Sequence, residues 1–180
     1  MEIEFERSTD DLIEFALFHA AHSPSVRRQL FLAQITCALL FFFLAAGHGY
    51  IFAHAVTPLP VFFGLLGGVL GYFIFPPINR SYTVHRIRTL AKEGDNSGTL
   101  GYLTVALSSA GIFSITRAGE SRLDWSAIKR LAQSEKYLFI YISATSAWVI
   151  PKKAFPDDKT LREFTDFIQA HRQKVGLEGS

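Results

Sequence analysis

Apolar positions change their period repeatedly along this chain, and each change marks an element. MEIEFER alternates Ile3 and Phe5 with charged neighbours, the period of two expected of a half-buried strand. Ser8, Thr9 and Asp10 then offer an N-cap for LIEFALFHA, which predicts a helix to about His22, ended by Pro24. From residue 30 the pattern loses its polar phase. Leu30 to about Tyr50 and about Leu59 to Phe75 are apolar on every face, divided by Gly47, His48, Gly49, Pro58 and Pro60 and closed by Pro76 and Pro77. From residue 100 the period returns to two. GYLTVALSS, GIFSITR, ESRLDW, RLAQS, YLFIYIS and AWVIP predict five or six short antiparallel strands, with turns at Ser109-Ala110-Gly111 and before Gly119. KTLREFTDFIQAHRQ then sets Leu161, Phe164, Phe167 and Ile168 on one helical stripe, acids leading and bases trailing as the helix dipole favours. Such a stripe needs a sheet to cover. The expectation is an α+β domain, one curved antiparallel sheet closed by a C-terminal helix, which residues 2–7 extend as a further strand.

Charge turns the two apolar stretches into spans. Between Arg28 and Arg80 there is no Asp, Glu, Lys or Arg, an interval of 51 residues, whereas one helix crossing a bilayer takes about 20. Two transmembrane helices are predicted, about 30–50 and 59–78, joined by the short turn IFAHAVTP. A signal peptide is disfavoured, because the apolar run lies behind a folded-looking acidic segment and lacks a cleavage pattern. Arg27 and Arg28 precede the first span, Arg80, Arg86, Arg88 and Lys92 follow the second, and the turn carries no Lys or Arg. That asymmetry predicts both termini in the cytoplasm, with the six basic residues at the membrane surface. The predicted organisation is therefore 1–28, a strand and helix packing on the cytoplasmic domain; 29–79, the hairpin; 80–98, a basic juxtamembrane helix and linker; and 99–175, the sheet domain. Residues 1–28 hold six acids against three arginines, and residues 80–180 hold fifteen bases against ten acids. The two are complementary, which favours their association.

Composition agrees: 49% hydrophobic against 19% charged, with a mean hydropathy of +0.21, excludes a disordered chain, and a single cysteine, Cys37, excludes a disulfide framework. Candidate chemistry is sparse. Gly64 with Gly68 and Gly67 with Gly71 make overlapping small-xxx-small pairs, which serve packing within the hairpin or dimerisation, unless they only reflect the glycine common in such helices. Neither span holds an acid or permanent base, which disfavours a channel or pump. His48 and His54 read as interfacial, and His19 and His22 as a solvated helix end, since no further ligand completes a metal site. No nucleophile, metal, phosphate-loop or dinucleotide fingerprint occurs, so no catalytic, cofactor-binding or metal-binding residue is assigned. Trp125 with Lys152 and Lys153 is the remaining constellation, a plugged sheet with a solvated edge or else a partner surface. The bases are scattered or juxtamembrane without an aromatic-basic signature, which argues against nucleic acid.

The run from Gly111 and Ile112 through Trp125 and Ile128 to Tyr137, then Val149-Ile150-Pro151-Lys152-Lys153-Ala154-Phe155 and the helix with Phe164, resembles the YcxB-like family of small bacterial membrane proteins. The layout of strand, helix, two spans and closing domain is similar over nearly the whole chain, although Ala110 stands where the family commonly has an acid. The resemblance implies a pleckstrin-homology-type C-terminal domain, a bacterial inner-membrane location and no catalytic residues. The function expected is a membrane-anchored interaction or regulatory module, with the bilayer, a protein partner or a second copy of the chain as its partners. The alternatives are an enzyme of lipid or envelope metabolism and an accessory subunit of a transport assembly.

Overall fold

The computed structural model describes residues 1–53, 58–93 and 98–178. Residues 54–57 of the turn expected around His54 and residues 94–97 of the expected juxtamembrane linker lie outside the described residues. The elements follow in the order β1 (Glu2–Arg7), α1 (Thr9–His22), α2 (Pro24–Ala53), α3 (Pro58–Leu90), β2 (Gly101–Ser108), β3 (Gly111–Thr116), β4 (Gly119–Leu123), β5 (Arg130–Gln133), β6 (Tyr137–Tyr141), β7 (Ala147–Pro151) and α4 (Asp158–Glu178). The fold is α+β and membrane-anchored: two long apolar helices, antiparallel sheets and a C-terminal helix. Two compact units divide it, a sheet unit of Met1–Phe15 with Ile87–Ser180 and a hairpin unit of Ala16–Arg86.

In the sheet unit the strands form two sheets rather than the single curved one expected. One has the order β1-β2-β3-β4 and the other β5-β6-β7, all antiparallel. The break falls after Leu123, where the chain makes a short 3-10 turn at Trp125–Ala127 instead of turning back against β4. A period-two reading finds strands but carries no information on which of them pair. β1 is an edge strand, with Ile3 opposite Val105 and Phe5 opposite Leu103, so its apolar side chains extend the inner face of β2. The β2–β3 turn requires Gly111: its φ is +144°, and a Cβ there would lie 2.5 Å from the Leu123 carbonyl oxygen.

The core joins both sheets to α4. Ile3, Phe5, Leu103, Val105, Leu107 and Ile112 of the first sheet meet Leu138, Ile140 and Ile150 of the second, and Leu161, Phe164 and Ile168 close it. Each such side chain contributes roughly 1.5–3 kcal/mol by leaving water. β6 is buried on both faces, since Phe139 and Tyr141 are also fully covered. Their cover includes Phe15 of α1, whose ring lies 5.7 Å from that of Phe139 and 5.8 Å from that of Tyr141. Asp157 caps α4 by accepting the Thr160 amide at 2.7 Å, a bond that holds its carboxyl below the usual range.

In the hairpin unit α2 and α3 are both long and apolar enough to cross a membrane. Their large apolar side chains face outward, Phe43 being 65% and Phe73 70% exposed, as lipid-facing residues would be and core residues would not. Pro76 and Pro77 do not close the second apolar helix. α3 runs through both to Leu90 and carries Arg80, Arg86 and Arg88 as part of the same helix. Pro76 has no N–H for the Tyr72 carbonyl one turn back, but the Gln34 side chain of α2 donates to that oxygen at 2.8 Å. A neighbouring helix thus satisfies the group the proline frees, which is how a spanning helix tolerates proline.

Candidate functional site

The glycines of α3 form the seam of the hairpin. Pro60, Gly64 and Gly71 are buried while most of α3 is exposed. A Cβ on Gly64 would meet the Phe42 ring at 3.0 Å and Ala46 at 3.1 Å, one on Gly67 the Phe41 carbonyl oxygen at 3.3 Å, one on Gly68 the Ala38 carbonyl oxygen at 3.2 Å, and one on Gly71 the Phe41 ring at 2.9 Å. All four sit against α2 of the same chain, and two of the nearest neighbours are backbone carbonyls. Glycine there lets the helices approach until dispersion contacts and weak Cα–H bonds form. Sequence reasoning missed Gln34. Its only signal is an amide inside the apolar stretch that follows Leu30, and its partner carbonyl is named only by the proline four residues beyond it.

Arg27, Arg28, Arg80, Arg86, Arg88 and Lys92 are all exposed. Arg88 lies 3.5 Å from Asp10, with both side chains largely in solvent, so the pair adds about 0–1 kcal/mol at most.

The Trp125, Lys152 and Lys153 constellation divides. Trp125 is only 5% exposed. Its ring stacks on His171 at 5.0 Å and tilts against Phe167 at 6.0 Å, both from α4, and its Nε1 donates to the Ser109 carbonyl at 3.1 Å. It is a plug between sheet and helix and presents no surface to a partner. Lys152 and Lys153 sit on the 3-10 turn after β7, Lys153 exposed and Lys152 half-buried.

Asp11 is the other group that the sequence did not single out. It is 3% exposed and fully engaged: Oδ2 accepts from the Ser8 amide at 2.6 Å and its hydroxyl at 3.0 Å, and Oδ1 accepts from the Tyr137 hydroxyl at 2.8 Å. This caps α1 and ties its first turn to β6. Burial, the bond to Asp11 and the surrounding carboxylates raise the Tyr137 hydroxyl well above its ordinary value.

A cleft of about 280 Å³ opens at one end of the first sheet, with Arg7, Ser114, Thr116, Ser121 and Trp148 among its lining. Arg7 donates through Nε to the Thr99 carbonyl, and burial pushes its guanidinium down from the usual value. Ser114 and Ser121 share a hydrogen bond at 3.0 Å, and the Thr116 hydroxyl donates to the Gly119 carbonyl at 3.1 Å.

With this geometry in place, comparison with known protein families gives one match. Residues 107–168 match the YcxB-like protein family. The YcxB-like segment runs from Leu107 in β2 to Ile168 in α4, both core residues, and includes Trp125 and the Val149 to Phe155 stretch on which the resemblance rested. No curated protein and no solved structure matches the chain. The YcxB-like match brings no activity with it.

Proposed function

We propose that this protein is a membrane-anchored interaction or regulatory module of the bacterial inner membrane. The hairpin crosses the bilayer twice, with both termini in the cytoplasm, and the sheet unit is a pleckstrin-homology-type domain held on that side. One observation carries the reading. β1 and β2 are paired neighbours, yet the hairpin lies between them in the chain, so the polypeptide enters and leaves the two helices from adjacent strands of one sheet. Two crossings return it to the side it left, as that pairing demands. The Lys and Arg asymmetry supplies the side. The four-plus-three strand layout with a closing C-terminal helix supports the pleckstrin-homology-type assignment, and such a domain on a membrane anchor is the arrangement of a binding unit. Protease treatment of sealed vesicles tests this. Cleavage within residues 98–178 is expected in inverted vesicles and protection in right-side-out ones, with the hairpin resisting alkaline extraction in both. Cleavage only in right-side-out vesicles, or release of the uncut chain at alkaline pH, refutes it.

A further inference from the structure

The inner face of the first sheet changes character from one end to the other. Residues paired across antiparallel strands share a face. At one end the inward row includes Leu107, Ile112 and Leu123; the next is Ile3, Val105, Ser114 and Ser121; the third has Phe5 opposite Leu103 and Thr116 opposite Gly119; and the last is Arg7 opposite Gly101. Along β3 and β4 apolar side chains thus give way to hydroxyls, while β1 stays apolar through Phe5 and ends on the Arg7 guanidinium. The row ends over a glycine with no side chain, φ +98° and nothing within 4 Å of its Cβ position. The cleft of about 280 Å³ lies along this gradient, with Trp148 of β7 also in its lining.

The polar groups left over are mostly donors. A guanidinium has five N–H donors, and among the described residues the Thr99 carbonyl is the one hydrogen-bond acceptor Arg7 meets, through Nε. Its Nη atoms remain. No carboxylate lies within ion-pair distance of it among the described residues; the charge it senses, Asp11, has both oxygens bound to Ser8 and Tyr137. In the Ser114–Ser121 pair one proton makes the shared bond and the other is free to point into the cleft. Glu120, also in the lining, belongs by alternation to the outer face with Arg122, which stacks on outward-facing Phe113. A half-buried cation with unused planar donors beside free hydroxyls suits an anionic tetrahedral group, which a guanidinium binds in bidentate fashion.

We propose that this cleft binds a phosphate group, that Arg7 supplies its charge and that the hydroxyls of Ser114, Ser121 and Thr116 complete its hydrogen bonds. The volume lies at the small end of ligand pockets, enough for a phosphomonoester with a small organic part against Trp148 and too little for a peptide. The proposal deepens the binding-module reading and rests on it, but its test reads only the cleft, so a reversed topology in the vesicle experiment and an empty cleft here are separate failures.

The full chain in neutral-lipid nanodiscs is dialysed to equilibrium against inorganic phosphate and glycerol 3-phosphate at fixed ionic strength. In parallel, the chain in nanodiscs containing phosphatidic acid is followed by tryptophan emission, to which Trp148 contributes alongside Trp125. Saturable binding of either soluble probe identifies a soluble ligand. An emission change with phosphatidic acid alone identifies a lipid headgroup. Either outcome supports the proposal if Arg7→Gln weakens it at least tenfold, Arg7→Lys weakens it less, and Arg162→Gln, an exposed cation on α4, leaves it unchanged. Near-UV circular dichroism confirms that each variant is folded; if Arg7→Gln is not, Ser114→Ala with Ser121→Ala takes its place and is expected to weaken binding at least threefold. Absence of saturable binding in both arms, or equal binding by the folded variants and the parent, overturns it.

Discussion

Replacing Trp125 with alanine removes the side chain that joins the 3-10 turn to α4, and the cost follows from what it touches. Its 5% exposure means that nearly the whole indole leaves water on folding, and Trp→Ala in such a site costs about 3–5 kcal/mol. Part of that is the contact with His171 and Phe167, since aromatic pairs contribute about 0.5–1.5 kcal/mol beyond area. Another part is the Nε1 bond to Ser109, about 0.5–1.5 kcal/mol net. Trp125→Phe keeps most of the ring and loses that bond, so it should cost about 1–2 kcal/mol. Lys153→Ala, on an exposed side chain, should cost under about 0.5 kcal/mol. The assay is urea unfolding of the full chain in neutral nanodiscs followed by near-UV circular dichroism. Helices in lipid have no water to exchange for their backbone bonds, so the transition reports the sheet unit. The full chain is required because β1 precedes the hairpin and completes the sheet. Equal small losses for Trp125→Ala and Lys153→Ala would refute the plug and restore Trp125 as a surface residue.

Other consequences are as specific. Gln34→Leu should weaken the hairpin by about 0.6–1.7 kcal/mol in detergent unfolding; in a Pro76→Ala background, where an N–H returns to Tyr72, the loss should shrink, and an unchanged loss would separate Gln34 from the proline. Tyr137 has its folded-state pKa raised above the ordinary 10.0, so its stabilising effect is whole below pH 10 and is lost as pH rises through the folded value. Stability of the parent should therefore fall above about pH 10, while Tyr137→Phe, less stable at neutral pH, should fall less steeply; parallel pH curves would contradict this. Gly111→Ala should destabilise the sheet unit by more than Gly119→Ala in the same urea assay, because both have positive φ but only Gly111 meets a backbone carbonyl.

What the residues reveal in advance divides along physical lines. The charge-free interval, the alternation in MEIEFER and the stripe from Leu161 to Ile168 report burial directly, because each face of an element chooses its residues independently. Strand pairing is not local, so nothing in YLFIY or ESRLDW says that the sheet divides after Leu123. The continuity of α3 through Pro76 was hidden for the same reason: the group that rescues the Tyr72 carbonyl, Gln34, is 38 residues away. Asp11 reads as one more acid near a cap until β6 brings Tyr137 to it, and Arg7 reads as the last charge of a strand until the sheet gives it an inner face.

The claim that β1, before the hairpin in the chain, pairs with β2, after it, is tested by amide hydrogen exchange on the full chain and on the chain lacking residues 1–7, both in neutral nanodiscs. β1 covers one edge of β2 and contributes Ile3 and Phe5 to the core, so exchange at Leu103, Val105 and Leu107 should accelerate at least tenfold on deletion, an effect larger than that of reversing Glu2, Glu4 and Glu6 to lysine. Unchanged protection across residues 101–108 in the shortened chain would contradict the pairing and the architecture built on it.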